Sequence, residues 1–269
     1  MEGIMKYKLM AVDVDGTLFN SNNEISKETK EAIALAVDKG LIFTICSGRP
    51  IQGVEGIINK LELDLPFITY NGAMVVMGKS REILYEQKLS KEDAENIIEL
   101  GNKFNVTVVV WVNNQLYVNR MDEKAQAYSK QSKTPPVVMQ DIDSIIKDGV
   151  TKILWYDEIE TIDRLEKEVG SMVSENVNYH TSKPIFLEFV DKKASKAIAM
   201  EKLGAHFGIG QKEMIAVGDG FNDLSMIQYA GLGVAMANAK EEIKQKADFV
   251  TLSNDENGVA HVINEFVLK

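Results

Sequence analysis

Through Tyr70 the chain alternates short apolar runs with amphipathic stretches, and this alternation limits the available folds more than any other feature. Lys8 to Val12, Leu41 to Ile45 and Pro66 to Tyr70 read as buried strands. Between the first two, Ser26 can cap a helix in which Ala32, Ile33, Ala36 and Val37 share one face, with Gly40 where it would end. A second helical stretch separates the later two strands. The order β-α-β-α-β implies parallel strands joined by crossover helices, hence a layered α/β core.

The middle of the chain has another rhythm. Ala73 to Met77 and Ile83 to Gln87 read as a hairpin around Gly78, and Ser90-Lys-Glu-Asp93 as a capping box opening a helix through Lys103. Strands are expected at Val106 to Val112, Gln115 to Asn119, Lys152 to Tyr156 and Ile185 to Phe189. A polar helix is expected near Asp122 to Ser132, followed by the loop Thr134-Pro-Pro136. Ile162, Leu165, Val169 and Met172 form the stripe of a further helix, and His180 to Lys183 reads as a polar loop. Strands beside strands, with helices interspersed, suggest an inserted α+β module. From Ala194 the alternation resumes, with strands at Met214 to Val217, Gly231 to Ala235 and Asp248 to Val250. The expected division is a discontinuous core, 1–85 and 190–269, around an inserted module, 86–189.

Composition excludes several classes of function. With 269 residues, 45% hydrophobic and 26% charged, the chain can bury a full core in one large or two modest domains. A formal charge of −10 disfavours nucleic acid and anionic membranes as partners. The single cysteine, Cys46, rules out an internal disulfide and a cysteine-cluster zinc site, and beside Ser47 it reads as packing. No apolar run approaches a bilayer span, and Leu9 to Val12 runs straight into Asp13, unlike a signal peptide. A cytoplasmic protein is expected.

The chemistry gathers at strand ends. Asp13-Val-Asp15-Gly-Thr-Leu18 follows the first strand, Ser47-Gly48-Arg49 the second, Asn71-Gly72 the third, and Gly218-Asp219-Gly-Phe-Asn222-Asp223 the strand Met214 to Val217. In a parallel sheet these would share one rim, where ligands bind. Each is also a common turn or cap by itself. The first also fits an EF-hand at four positions (Asp13, Asp15, Thr17 and Glu24), but Leu18 stands where the sharp turn needs Gly and a strand precedes it, so that reading fails.

Taken in order, the DxDGT motif, the strand-end Ser47, Lys196 and the GDxxND motif resemble the haloacid dehalogenase-like superfamily, in particular its Cof-like, type II-capped sugar phosphatases. The resemblance spans nearly the whole chain. It departs around Lys193-Ala-Ser-Lys196-Ala197 and at Ala237, where many relatives carry glycine. It implies a Rossmann-like parallel-sheet core with an α+β cap that selects the substrate. The implied nucleophile is Asp13, which forms an aspartyl-phosphate. Asp15 would be general acid and then base, where P-type ATPases, which preserve their phosphoenzyme, have Thr.

Like charges about 4 Å apart repel by roughly 4 kcal/mol at an effective dielectric near 20, so a phosphate dianion among these aspartates needs compensating cations. Mg²⁺ suits the site, held by the side chains of Asp13 and Asp219 and, as the resemblance implies, by the backbone carbonyl of Asp15. Lys196, preferred over Lys192 and Lys193 on the family's spacing, supplies the second positive charge. Phosphoryl oxygens would meet the Ser47 hydroxyl, the Gly48 and Val14 amides and Asn222, with Asp223 orienting Lys196 or the metal shell. Arg49 could meet the substrate or pair with a cap carboxylate.

Trp111, Trp155 and Tyr117 are expected in the cap core, and His180, Lys183 and Glu188 are weak candidates for touching substrate. The expected partner is a small phosphate monoester, a sugar phosphate on the resemblance. A phosphomutase and a metabolite-binding regulator without turnover are the alternatives.

Overall fold

A computed structural model describes residues 5–269. The chain opens with β1 (Leu9–Val12), α1 (Lys27–Asp38), β2 (Ile42–Cys46), α2 (Ile51–Leu61), β3 (Phe67–Thr69), β4 (Met74–Val76) and β5 (Ile83–Glu86). It continues through α3 (Lys91–Lys103), β6 (Thr107–Val112), β7 (Gln115–Val118), α4 (Glu123–Ser132), β8 (Val137–Val138), α5 (Ile142–Ile146), β9 (Lys152–Tyr156), α6 (Ile159–Val169), β10 (Val177–Lys183) and β11 (Phe186–Asp191). The last part carries α7 (Lys196–His206), β12 (Met214–Gly218), α8 (Leu224–Tyr229), β13 (Leu232–Ala235), α9 (Glu241–Lys244), β14 (Phe249–Val250) and α10 (Gly258–Phe266). Two compact units result: one comprises the chain up to Gly48, Val54–Tyr85 and Ser195–Lys269, the other Arg49–Gly53 and Glu86–Ala194.

The first unit is built on an eight-stranded sheet ordered β14-β13-β12-β1-β2-β3-β4-β5. The strands from β14 to β3 are parallel, and β4 joins β3 antiparallel. β1 lies between β12 and β2 and is buried along its whole length, which is why it is continuously apolar instead of alternating. Successive strands run outward from β1 in one direction (β2, β3) and from β12 in the other (β13, β14). The gap between β1 and β12 is therefore the point where strand order reverses, and Asp13 and Asp219 follow its two strands. Ser26 caps α1 as expected, accepting from the Thr29 amide at 3.1 Å.

The second unit has a six-stranded sheet ordered β10-β11-β9-β6-β7-β8, antiparallel except for the β7–β8 pair. On one face, Ile97 and Ile98 of α3, Ile146 of α5, and Ile162, Leu165 and Val169 of α6 pack with Val108, Ile153, Trp155, Leu187 and Phe189. Trp111 and Trp155 are core residues, and the Trp111 indole donates to the Tyr128 hydroxyl at 3.1 Å.

Two expectations for this unit are corrected. His180 to Lys183 is not a loop; it belongs to β10, a strand at the sheet's edge whose solvent side tolerates polar residues. Met172 is exposed and lies beyond α6, which stops at Val169. β8 and α5 carry no expectation from the sequence, because two and five residues are too few to display a period. Among the described residues no helix is long and apolar enough to cross a membrane.

Lys152 and Glu188 form a buried ion pair in this sheet at 3.1 Å, and the Ser182 hydroxyl donates to the other Glu188 oxygen at 2.8 Å. Burial opposes both charges but is outweighed in sum: Lys152, with His180 and the Ser182 hydroxyl, holds Glu188 below its ordinary range, and Glu188, with Tyr128, holds Lys152 above its own. Breaking such a pair leaves an uncompensated charge. Lys152→Met is therefore expected to cost about 3–5 kcal/mol in urea unfolding, while the double variant Lys152→Met/Glu188→Leu recovers most of it. Because the folded Glu188 titrates below 4.5, its contribution is present above that pH and is lost as pH falls further. Full additivity of the two single substitutions would contradict the pairing.

Candidate active site

The loop after β1 starts from a fixed point. The Asp13 amide donates to the Val217 carbonyl at 3.0 Å, continuing the β1–β12 ladder one residue past the strand. The chain then folds tightly over itself, the Val14 carbonyl accepting from Phe19 at 2.9 Å and the Asp13 carbonyl from Leu18 at 3.1 Å. Gly16 makes this possible: its φ is +86°, and a Cβ there would lie 2.4 Å from a carboxylate oxygen of Asp219. The Thr17 hydroxyl donates to Asp219 Oδ1 at 2.7 Å, tying the loop after β1 to the one after β12.

Lys196 is the first residue of α7, which Ser195 caps by accepting from the Ile198 amide. The helix start approaches the turn after β3 so closely that Gly72, with φ +96°, has its missing Cβ position 2.2 Å from the Ser195 carbonyl. From there the buried Lys196 side chain reaches Asp13 Oδ1 at 2.5 Å, Asp223 Oδ1 at 2.6 Å and the Cys46 carbonyl at 3.0 Å. All three ammonium protons have acceptors. Lys192 and Lys193, the other two candidates, are exposed. Asp223 is itself anchored, its Oδ2 accepting from the amides of Asp219 at 3.0 Å and Gly220 at 2.8 Å.

The charges do not balance. Burial, with Asp223 adding to it, pushes Asp13 up to about 7 against the pull of Lys196. Burial also raises Asp219, the Thr17 hydrogen bond opposing. For Lys196 burial works the other way, but Asp13 and Asp223 override it and hold the ammonium well above its ordinary value. Burial drives the Cys46 thiol far up, which fits a packing residue. One ammonium thus faces three carboxylates. Asp13, Asp219 and Asp223 each offer an oxygen, all within 4.8 Å of one another. A set of oxygen donors with surplus negative charge fits a hard divalent cation such as Mg²⁺. Asp223 already spends both oxygens on Lys196 and two amides, so Asp13 and Asp219 are the side chains best placed to hold it.

The other sequence candidates distribute as follows. Ser47 is buried at the end of β2, its carbonyl accepting from the Asn71 amide at 3.0 Å. Gly48 lies against Asn71, whose Oδ1 would be 2.8 Å from a Cβ at that position. Asn222 Nδ2 donates to the same Asn71 oxygen at 3.4 Å, so the turns after β2, β3 and β12 meet here. Val14 is buried, and Asp15 is exposed and outside the carboxylate cluster. Arg49 groups with the second unit and is not among the residues the first unit brings together. Sequence reasoning gave no role to Thr17 or Asn71. Asn71 was placed on the rim and Thr17 within the first motif, but their contacts with Ser47, Asn222 and Asp219 were not legible.

Comparisons with known proteins accord with this geometry. The profile of the haloacid dehalogenase-like hydrolases matches residues 10–263. The Bacillus subtilis protein YxeH is 36% identical over 267 residues, covering 97% of this chain and 99% of YxeH. The 5-amino-6-(5-phospho-D-ribitylamino)uracil phosphatase YwtE of Bacillus subtilis is 31% identical over 291 residues, covering 97% and 98%. Among solved structures, the subclass IIB sugar phosphatase BT4131 superposes with a TM-score of 0.80 at 28% identity, covering 96% of this chain and 98% of that one. With its parallel sheet, its strand-end aspartates and this full-length similarity, the chain belongs to the haloacid dehalogenase-like hydrolase family.

Proposed function

We propose that this chain is a Mg²⁺-dependent phosphatase of small phosphorylated metabolites, sugar phosphates foremost, acting through an aspartyl-phosphate on Asp13. The coarser statement, a haloacid dehalogenase-like enzyme hydrolysing phosphate monoesters, already follows from the family and its phosphatase relatives. The observation that carries the finer reading is the buried ammonium of Lys196, 2.5 Å from Asp13 in a nest that still has carboxylate charge to spare. The ammonium opposes the burial that raises Asp13, and a divalent cation bound beside it would lower Asp13 further, leaving a carboxylate that can face an incoming phosphate dianion.

In the proposed reaction an Asp13 carboxylate oxygen bonds to phosphorus as the ester P–O bond breaks, and the leaving alkoxide takes a proton from the Asp15 carboxyl. The Asp15 carboxylate then accepts a proton from water as the water oxygen bonds to phosphorus and the Asp13–phosphorus bond breaks. Free phosphate leaves and both aspartates return to their starting states. Lys196 balances charge on the transferring oxygens, Asp223 holds Lys196 in place, and Ser47, the Gly48 and Val14 amides and Asn222 bind the phosphoryl group. When bound by Asp13, Asp219 and the Asp15 backbone carbonyl, Mg²⁺ would offset the carboxylate charge and polarise the phosphoryl group.

The second unit, residues 86–189 on the sequence reading, takes the part of the cap that reads the leaving group. Sugar-derived substrates are favoured because BT4131 is named a sugar phosphatase and YwtE a phosphatase of a phosphorylated ribityl compound.

A phosphate-release screen over many monoesters, with Mg²⁺ and with chelator, tests the reading. Release that stops with chelator is expected. Binding without any release would favour a regulator, and phosphate label retained in an isomerised sugar phosphate a mutase. Asp13→Asn should lose at least about a thousandfold in kcat while substrate still binds. Asp15→Asn should lose about 10²- to 10⁴-fold. Normal turnover by Asp13→Asn would rule out the covalent route.

A further inference from the structure

The loop carrying Asp13 and Asp15 is held by three contacts from two segments of chain, the turn after β13 and the residues before α10. Asn238, in the turn after β13, donates from Nδ2 to the Gly16 carbonyl at 2.8 Å. Its Oδ1 accepts from the Asn254 amide at 3.1 Å, so the two ends of one exposed side-chain amide join backbone segments remote in sequence. Asn254 in turn donates from Nδ2 to the Phe19 carbonyl at 2.9 Å, and the Asp255 carboxylate accepts from the Ser21 amide at 2.8 Å.

These contacts bracket Asp15. Gly16 follows it directly, and Phe19 is its partner in an isolated parallel bridge. Asp13 is fixed differently, by its amide bond to Val217 and by Lys196. Asp15 lies two residues further from the sheet and is exposed. We propose that Asn238, through the Gly16 carbonyl, is a positioning residue that aims the Asp15 carboxyl at the leaving-group oxygen. The inference rests on the acid–base role proposed above for Asp15. A general acid works only within hydrogen-bond reach of the atom it protonates, and a shift of about 1 Å can cost on the order of 10²-fold.

The consequence depends on the leaving group. An alkyl phosphate expels a basic alkoxide and needs the Asp15 proton. p-Nitrophenyl phosphate expels a stable phenolate and needs it little. kcat/KM covers the steps up to formation of the phosphoenzyme, and the ratio of kcat/KM for the two esters does not depend on how much of the preparation is active.

The experiment measures that ratio, with Mg²⁺, for wild type, Asn238→Ala and Asn238→Asp. The aspartate variant keeps an acceptor for the Asn254 amide, replaces the donor to Gly16 with an oxygen and adds a negative charge. In both variants the alkyl-to-nitrophenyl ratio is expected to fall about tenfold to a hundredfold. Thermal unfolding midpoints, taken in parallel, are expected to stay close to that of wild type. Equal losses on both esters, or an unchanged ratio in the aspartate variant, would overturn the positioning role while leaving the phosphatase reading intact. Wild type that releases phosphate from neither ester would instead overturn the phosphatase reading, and the Asn238 role with it.

Discussion

The contact on which the rest of the first unit depends is that of the Lys196 ammonium with Asp13, Asp223 and the Cys46 carbonyl. A buried cation is tolerable only when every proton has an acceptor and opposite charge lies close by. That requirement draws together four places distant in sequence: the ends of β1 and β2, the turn after β12 and the start of α7. The glycines follow from it. Gly72 lets the start of α7 approach the turn after β3, and Gly16 lets the first loop close over Asp219. Removal of Lys196 would leave Asp13 and Asp223 as uncompensated buried charges, so structure and proposed chemistry share one group.

The same contact shows why the site could accommodate a second cation. A single ammonium cannot balance three clustered carboxylates, and the elevated Asp13 and Asp219 express the deficit. Asp223 has settled into a structural part, its oxygens divided between Lys196 and the amides of its own turn. Asp13 and Asp219 are the side chains proposed to hold a metal, with Thr17 fixing one oxygen of Asp219. Under the proposed mechanism, the metal and the substrate's phosphate complete a charge balance that the protein leaves open.

Much of this was legible before any coordinates. Parallel strands buried on both faces announce themselves as short unbroken apolar runs, and polar groups directly after them must fall on one edge of the sheet. Asp13, Ser47, Asn71 and Asp219 were located in that way. Lys196 could not be separated from Lys192 and Lys193 by physics alone, because burial depends on where α7 begins; the Ser195 cap was the available local signal. Elements governed by position instead of pattern were missed: β10 as a polar edge strand, α5 and β8 as pieces too short to show a period. Asn238 and Asn254 carried no signal at all, since an asparagine in a turn looks the same in sequence whether it faces water or clasps another loop.

The central claim is that Asp13 becomes covalently phosphorylated, and chemical location of the phosphoryl group tests it most directly. Wild-type enzyme mixed with a ³²P-labelled monoester and Mg²⁺, quenched in acid within a single turnover and digested, should carry base-labile label on the peptide containing Asp13. Label on a different residue, or turnover with no protein-bound phosphate at any quench time, would contradict the account.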